Sequence, residues 1–246
     1  MKKLHMVRLV LLSCMLVLVA GPLSAAKYKV AKGGVKDGGS VSGRITYDGT
    51  APAPEILKVD EDVEACGGDR PSDMLLVSAS GGIQNVVLSI EKVKSGKDWD
   101  FPEGGFTYDQ KDCSFTPRIM LIKPGMSGEV LNSDSVGHNF HTISKGVFNV
   151  NKKIQPGSKL VVKKSKIRKT GMVRAKCDIH SWMGGYWVVA DSPYTVLSDA
   201  DGNFSITDIP PGKYTLKIWH EKLGESTQEV VVSKGGNTKT DISLKL

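Results

Sequence analysis

Cys177-Asp178-Ile179-His180-Ser181-Trp182-Met183 runs straight into Gly184-Gly185. A thiol, an imidazole and a thioether recur there at every third position. Soft sulfur and borderline nitrogen donors suit copper in an electron-transfer site. Structural zinc sites draw on Cys and His and rarely on Met. The loop alone supplies three donors. A trigonal copper site also needs a second imidazole, and that one must come from elsewhere in the chain.

The second imidazole comes from Asn132-Ser133-Asp134-Ser135-Val136-Gly137-His138-Asn139-Phe140-His141. A loop completed by a distant His implies two strands remote in sequence and adjacent in space. Successive side chains of a strand face opposite sides, so His138 and His141 cannot both aim at one metal. The Cys-x-x-His-x-x-Met loop and the His-Asn-x-His segment together resemble the cupredoxins, most closely the amicyanin and pseudoazurin group, from about Phe115 to Asp191. In that family the His followed by Asn is a ligand. The resemblance therefore implies one copper ion held by His138, Cys177, His180 and Met183. His141 and Asn139 are left as outer hydrogen-bonding partners, or His141 as an auxiliary ligand. As a loop residue, His180 is expected to be the more exposed imidazole and the electron exit. Those small carriers often have an aromatic residue two positions before the Cys, where this chain has Ala175.

Residues 1–26 read as a secretory signal peptide. Lys2, Lys3 and Arg8 precede an apolar run from Leu9 to Ala20, and Ser24-Ala25-Ala26 supplies small residues for cleavage. The run is shorter than the roughly 20 residues of a bilayer span. The expected location is the periplasm or the cell surface, with no transmembrane segment once the leader is removed. The formal charge of +7 falls by three with that leader. What remains is too weakly basic to imply nucleic acid.

Outside the leader the cysteines are Cys66, Cys113 and Cys177, an odd number for an oxidising compartment. With Cys177 on copper, Cys66 and Cys113 are free to form a disulfide. The alternative is Cys177 bridged to either one, with a thiol left over.

The 27 glycines and 11 prolines punctuate short β-branched runs, and no sustained helical period appears. The expected class is therefore all-β. Gly39 to Tyr47 alternates and ends at the turn signal Asp48-Gly49. Ile56 to Val59, Met74 to Val77, Val86 to Val93 and Ile119 to Ile122 read as strands, and Ser95 to Gln110 as polar loop. Between the two ligand segments, Lys152, Lys153, Lys159, Lys163, Lys164, Lys166, Arg168 and Lys169 read as a solvated face.

After Asp191 the pattern changes. Asp201-Gly202-Asn203-Phe204 and Pro210-Pro211-Gly212-Lys213-Tyr214 resemble the carboxypeptidase regulatory-like module, a non-catalytic transthyretin-like β-sandwich. Trp219-His220-Glu221 reads as a strand end, with His220 structural. The expected division is residues 27–60 as lead-in, 61–190 as a cupredoxin-like Greek-key copper domain, and 191–246 as the second sandwich. Those last residues are few for a sandwich of about seven strands. Gly39–Tyr47 is accordingly expected to pair with them.

The whole arrangement resembles bacterial proteins described as plastocyanin-like or methylamine-utilisation-like. The donor set, and not this resemblance, leads to the expectation of an exported single-electron carrier, not an enzyme, whose partner is a redox protein such as a periplasmic cytochrome or dehydrogenase. The alternatives are a copper-trafficking module and a cell-surface interaction scaffold. Outside the leader only His138, His141, His180 and His220 occur, too few for a multicopper oxidase.

Overall fold

The computed structural model describes residues 28–246, and the leader expected over residues 1–26 lies outside them. The chain is all-β apart from one α-helical turn among the described residues, Val63–Cys66. No helix among the described residues is long and apolar enough to cross a membrane.

Most of the strands build two sandwiches. In the first, one layer runs Lys159–Val162, Gly128–Asn132, Phe106–Lys111, Ser114–Thr116. The facing layer runs Asn151–Ile154, His138–Ser144, Gly171–Lys176, Gly184–Val189, Ile119–Ile122. Inner positions follow period two: Phe106, Tyr108 and Gln110 from one layer, His138, Phe140 and Thr142 from the other. Tyr108, Phe140 and Trp187 are fully buried at the centre. The Tyr108 and Phe140 rings lie 5.4 and 5.3 Å from that of Trp187. Burying one such ring contributes about 1.5–3 kcal/mol.

Phe106–Lys111 corrects the expectation of a loop through Gln110. Its outer positions, Thr107, Asp109 and Lys111, make the segment polar in composition, yet the alternation is intact. Met74 to Val77, expected as a strand, contributes only an isolated bridge from Val77 to Ile83.

In the second sandwich, one layer runs Thr195–Leu197, Val87–Ile90, Gly212–His220, Gly224–Val232. Gly39–Tyr47 is the central strand of the other. It pairs antiparallel with Asn203–Ile209, and parallel with Asn237–Lys239 and then Ile242–Leu244. The C-terminal run passes so close that a Cβ at Gly43 would lie 1.7 Å from the Thr240 carbonyl oxygen, which requires glycine there.

The modules do not change over at residues 61 and 191 alone. Val87–Ile90, expected within the 61–190 copper domain, pairs with Gly212–His220 and Thr195–Leu197. Leu88 and Ile90 are 0% exposed in the second core, so their apolar side chains decide the placement. Conversely Leu57 and Val59, expected in the lead-in, pack into the first core. The chain thus passes between the sandwiches more than once.

Val87, Ile119 and Val188 form a small apolar cluster between the modules, with Tyr186 and Trp219 against it. Gly184–Val189 is therefore covered on both faces, which is why Tyr186 to Ala190 reads as a continuous apolar run. At this junction the Arg118 guanidinium is forked onto Glu221, with Nε–Oε1 2.5 Å and Nη2–Oε2 2.8 Å, and also meets Asp73 at 2.5 Å.

Candidate metal centre

His138 opens the strand His138–Ser144, and Cys177 follows directly on Gly171–Lys176, its antiparallel neighbour. The loop then folds back on itself. Met183 N–H donates to the His180 carbonyl at 3.0 Å, and Cys177 N–H to the Met183 carbonyl at 3.2 Å. Gly184–Val189 then returns beside Gly171–Lys176. Gly185 sits at this exit because a Cβ there would lie 2.4 Å from Tyr108 Oη and 2.8 Å from the Arg118 carbonyl.

This folding brings His138, Cys177 and His180 together, with one donor atom from each within 4.8 Å of the others. His138 and His180 are 0% exposed and Cys177 3%. The two Nδ1 atoms face each other at 2.9 Å, and Cys177 Sγ lies 3.7 Å from His180 Nδ1. The opposite edge of each ring meets a carboxylate. His138 Nε2 lies 2.7 Å from Asp134 Oδ2, and His180 Nε2 lies 2.9 Å from Asp62 Oδ2.

With the proton on Nε2, each ring donates to an acid and both Nδ1 atoms converge with the sulfur. Two ring nitrogens so close, beside the buried Cys177 sulfur, call for a cation between them. That observation fits the residues to a soft-donor metal ion, and copper matches the set. Burial holds His138 below the usual imidazole range, with the Asp134 carboxylate opposing it, so a neutral ligand imidazole is favoured.

Two backbone N–H groups point at the sulfur, Asn139 N at 3.3 Å and His180 N at 3.4 Å. The Asn139 side-chain oxygen accepts from Asp178 N at 3.3 Å, tying the His138 strand to the Cys177 loop. Asn139 thus braces the site from outside. Met183 is 2% exposed in the same core.

His141 is not brought into the cluster. It faces the outer side of the sheet, half-buried, with Nδ1 2.9 Å from Asp178 Oδ2. The Lys176 ammonium and then His141 hold the Asp178 carboxyl down to about 2.

The expectation that His180 is the exposed imidazole is corrected. The turn Asp62–Cys66 lies over its edge, and the Cys66–Cys113 disulfide fastens that turn to the sandwich. Cys113, Asp134 and His138 also converge, but the Cys113 sulfur is spent in that disulfide. Cys177 and Met183 instead line a cavity of about 430 Å³ at the junction of the modules, with Arg118 and Glu221 on its wall.

Four residues of this architecture carried no assigned role in the sequence: Asp62, Asp134, Arg118 and Glu221. Asp134 sits four residues before His138 and was open to discovery by that spacing. Asp62 lies 118 positions from His180, with no local pattern to mark it.

Residues 183–245 match the family model of the carboxypeptidase regulatory-like domain. The matched span begins at Met183, the last residue of the Cys177–Met183 loop. It leaves out Gly39–Tyr47 and Val87–Ile90, the strands that complete the second sandwich. No curated protein matches the chain. Among solved structures, the chain is similar to a purple cupredoxin from Nitrosopumilus maritimus, at 19% identity over 34% of this chain and 98% of that one, with a TM-score of 0.29. It is similar to amicyanin from Paracoccus versutus at 17% identity, over 37% and 86% of the two chains, with a TM-score of 0.31. It is also similar to a copper-containing nitrite reductase from Thermus scotoductus SA-01 at 22% identity, over 40% and 24%, with a TM-score of 0.32.

Proposed function

We propose that the chain is an exported mononuclear copper protein that carries single electrons. His138 Nδ1, Cys177 Sγ and His180 Nδ1 would hold the ion, with the Met183 thioether as the fourth donor. The observation that carries this reading is the buried convergence of those three donors, with both Nε2 edges already engaged by carboxylates. A copper ion bound there supplies one-electron exchange between Cu(II) and Cu(I).

The protein's own contribution is rigidity. The ligands sit on paired strands and a hydrogen-bonded loop, so little rearranges between oxidation states. Asn139 and His180 N–H groups draw charge from the sulfur, which favours the reduced form. The same burial argues against a trafficking role, where ligands must give up the ion readily. Export rests on the leader pattern and on the Cys66–Cys113 disulfide, which belongs to an oxidising compartment. The partner is a redox protein such as a periplasmic cytochrome or dehydrogenase, and the chain itself is not an enzyme.

The test is the visible and electron paramagnetic resonance spectrum of the chain without residues 1–26, given one equivalent of Cu(II). An intense thiolate-to-copper band with a narrow hyperfine splitting is expected, and Cys177→Ser abolishes the band. A pale spectrum of ordinary tetragonal copper from the unsubstituted chain sinks the reading.

A further inference from the structure

We propose that the Cys66–Cys113 disulfide frames the outer sphere of the centre, and that Asp62 and Asp134, both held by it, are positioning residues that turn each Nδ1 inward. This deepens the copper reading above and rests on it for its metal.

The geometry runs through one covalent bond. On one side, the Asp62 carbonyl accepts from Ala65 N and Cys66 N, both at 2.9 Å, closing a turn that ends at the disulfide. Asp62 itself is left-handed, at φ 49°, and its carboxylate reaches the His180 Nε2 edge. On the other side, Asp112 and Cys113 make a two-residue hairpin between Phe106–Lys111 and Ser114–Thr116, with φ of 53° and 50°. Such hairpins favour Asn-Gly, because both central residues need positive φ. Here the two N–H groups donate to Asp134, Asp112 N to Oδ1 at 2.7 Å and Cys113 N to Oδ2 at 2.9 Å. The same carboxylate meets His138 Nε2. The Cys113 carbonyl accepts from Trp182 Nε1 at 3.1 Å, and the Trp182 ring packs 5.0 Å from that of His180. Three contacts to two ligands thus hang on one disulfide.

The chemistry follows from the hydrogen bonds. An imidazole that donates Nε2–H to a carboxylate keeps Nδ1 as its metal donor, has its ring orientation fixed, and becomes a stronger base. Two such carboxylates also put negative charge beside the centre and favour Cu(II) over Cu(I).

The first test is copper-independent. Nuclear magnetic resonance of the metal-free full-length chain should show two exchange-protected imidazole Nε2–H protons. Asp62→Ala should remove protection at His180 only. Asp62→Asn should keep it, because the amide oxygen still accepts. Absence of both signals from the unsubstituted chain, or their survival in Asp62→Ala, overturns the proposal.

The second test loads copper. Asp62→Ala and Asp134→Ala should each weaken copper retention against a chelator by about 10–100-fold. Asp62→Asn should retain copper better than Asp62→Ala yet show a higher reduction potential, a change that a merely structural role does not produce. The Cys66→Ser/Cys113→Ser double variant should lose protection at both rings. Asp134→Ala also removes the acceptor of a hairpin, so Asp62→Ala, on an exposed turn, is the decisive variant. Unchanged copper retention in Asp62→Ala overturns the proposal. If the unsubstituted chain shows both protected protons but takes up no copper, the copper reading fails while the positioning of the imidazoles is upheld.

Discussion

His220 shows what burial does to a single side chain. It is 2% exposed, at the end of Gly212–His220, and its Nδ1 accepts from Lys222 N at 3.3 Å. Burial, with Arg118 adding to it, pushes its imidazole down to about 4. The folded chain then resists the proton that the unfolded chain accepts near the ordinary value of about 6.5. His220 therefore destabilises the fold as pH drops from about 6.5 through 4, by roughly 3 kcal/mol when complete. His220→Gln should lack this component. In urea denaturation, the stability difference between the variant and the parent should move in the variant's favour between pH 7 and pH 4. A constant difference would contradict the buried neutral imidazole. Gly185 is a second single-residue determinant. A methyl there meets Tyr108 Oη and the Arg118 carbonyl. Gly185→Ala should cost about 1–3 kcal/mol, the range for overpacked cores, read from the same denaturation curves.

At the scale of elements, Gly39–Tyr47 matters most to the second sandwich. It lies between Asn203–Ile209 and the two C-terminal strands, and Val41 and Ile45 are 0% exposed in that core. Removing residues 38–50 should leave Phe204 and Ile206 uncovered on one side. The C-terminal module should then lose amide-exchange protection while the first sandwich keeps its own. Equal protection with and without the strand would show that the C-terminal residues close their own core. The alternation of Gly39–Tyr47 is visible in the sequence. Phe106–Lys111 reads as a loop because its outward residues are polar and its inward Gln110 is polar too. Composition masked a period that burial makes obvious.

At the scale of the whole molecule, the fork of Arg118 on Glu221 joins the two sandwiches. The side chains are 10% and 6% exposed, so neither charge is well hydrated. Arg118 Nη1 also donates to the Gly184 carbonyl at 3.3 Å, directly after Met183 in the chain. Glu221→Gln should leave a buried guanidinium short of a partner and cost about 3 kcal/mol. Thermal unfolding should register this as a lower Tm. The loss should be smaller in Arg118→Met/Glu221→Leu, where both charges leave together. If the double variant falls further than the single one, the pair is net stabilising and the desolvation argument is wrong.

What could be read without coordinates was local. Donor spacing in Cys177–Met183, the His138–Asn139 pair, the alternation of the strands and the turn chemistry are all set within a few residues, where backbone period alone dictates which way side chains point. What needed the fold was whatever depends on distant segments meeting. Asp62 reaches His180 across 118 positions, Arg118 reaches Glu221 across 103, and Val87–Ile90 leaves one sandwich for the other. Those contacts come from burial and charge pairing in three dimensions. They change the picture of the centre from a site with an exposed imidazole to one closed by a disulfide-held turn.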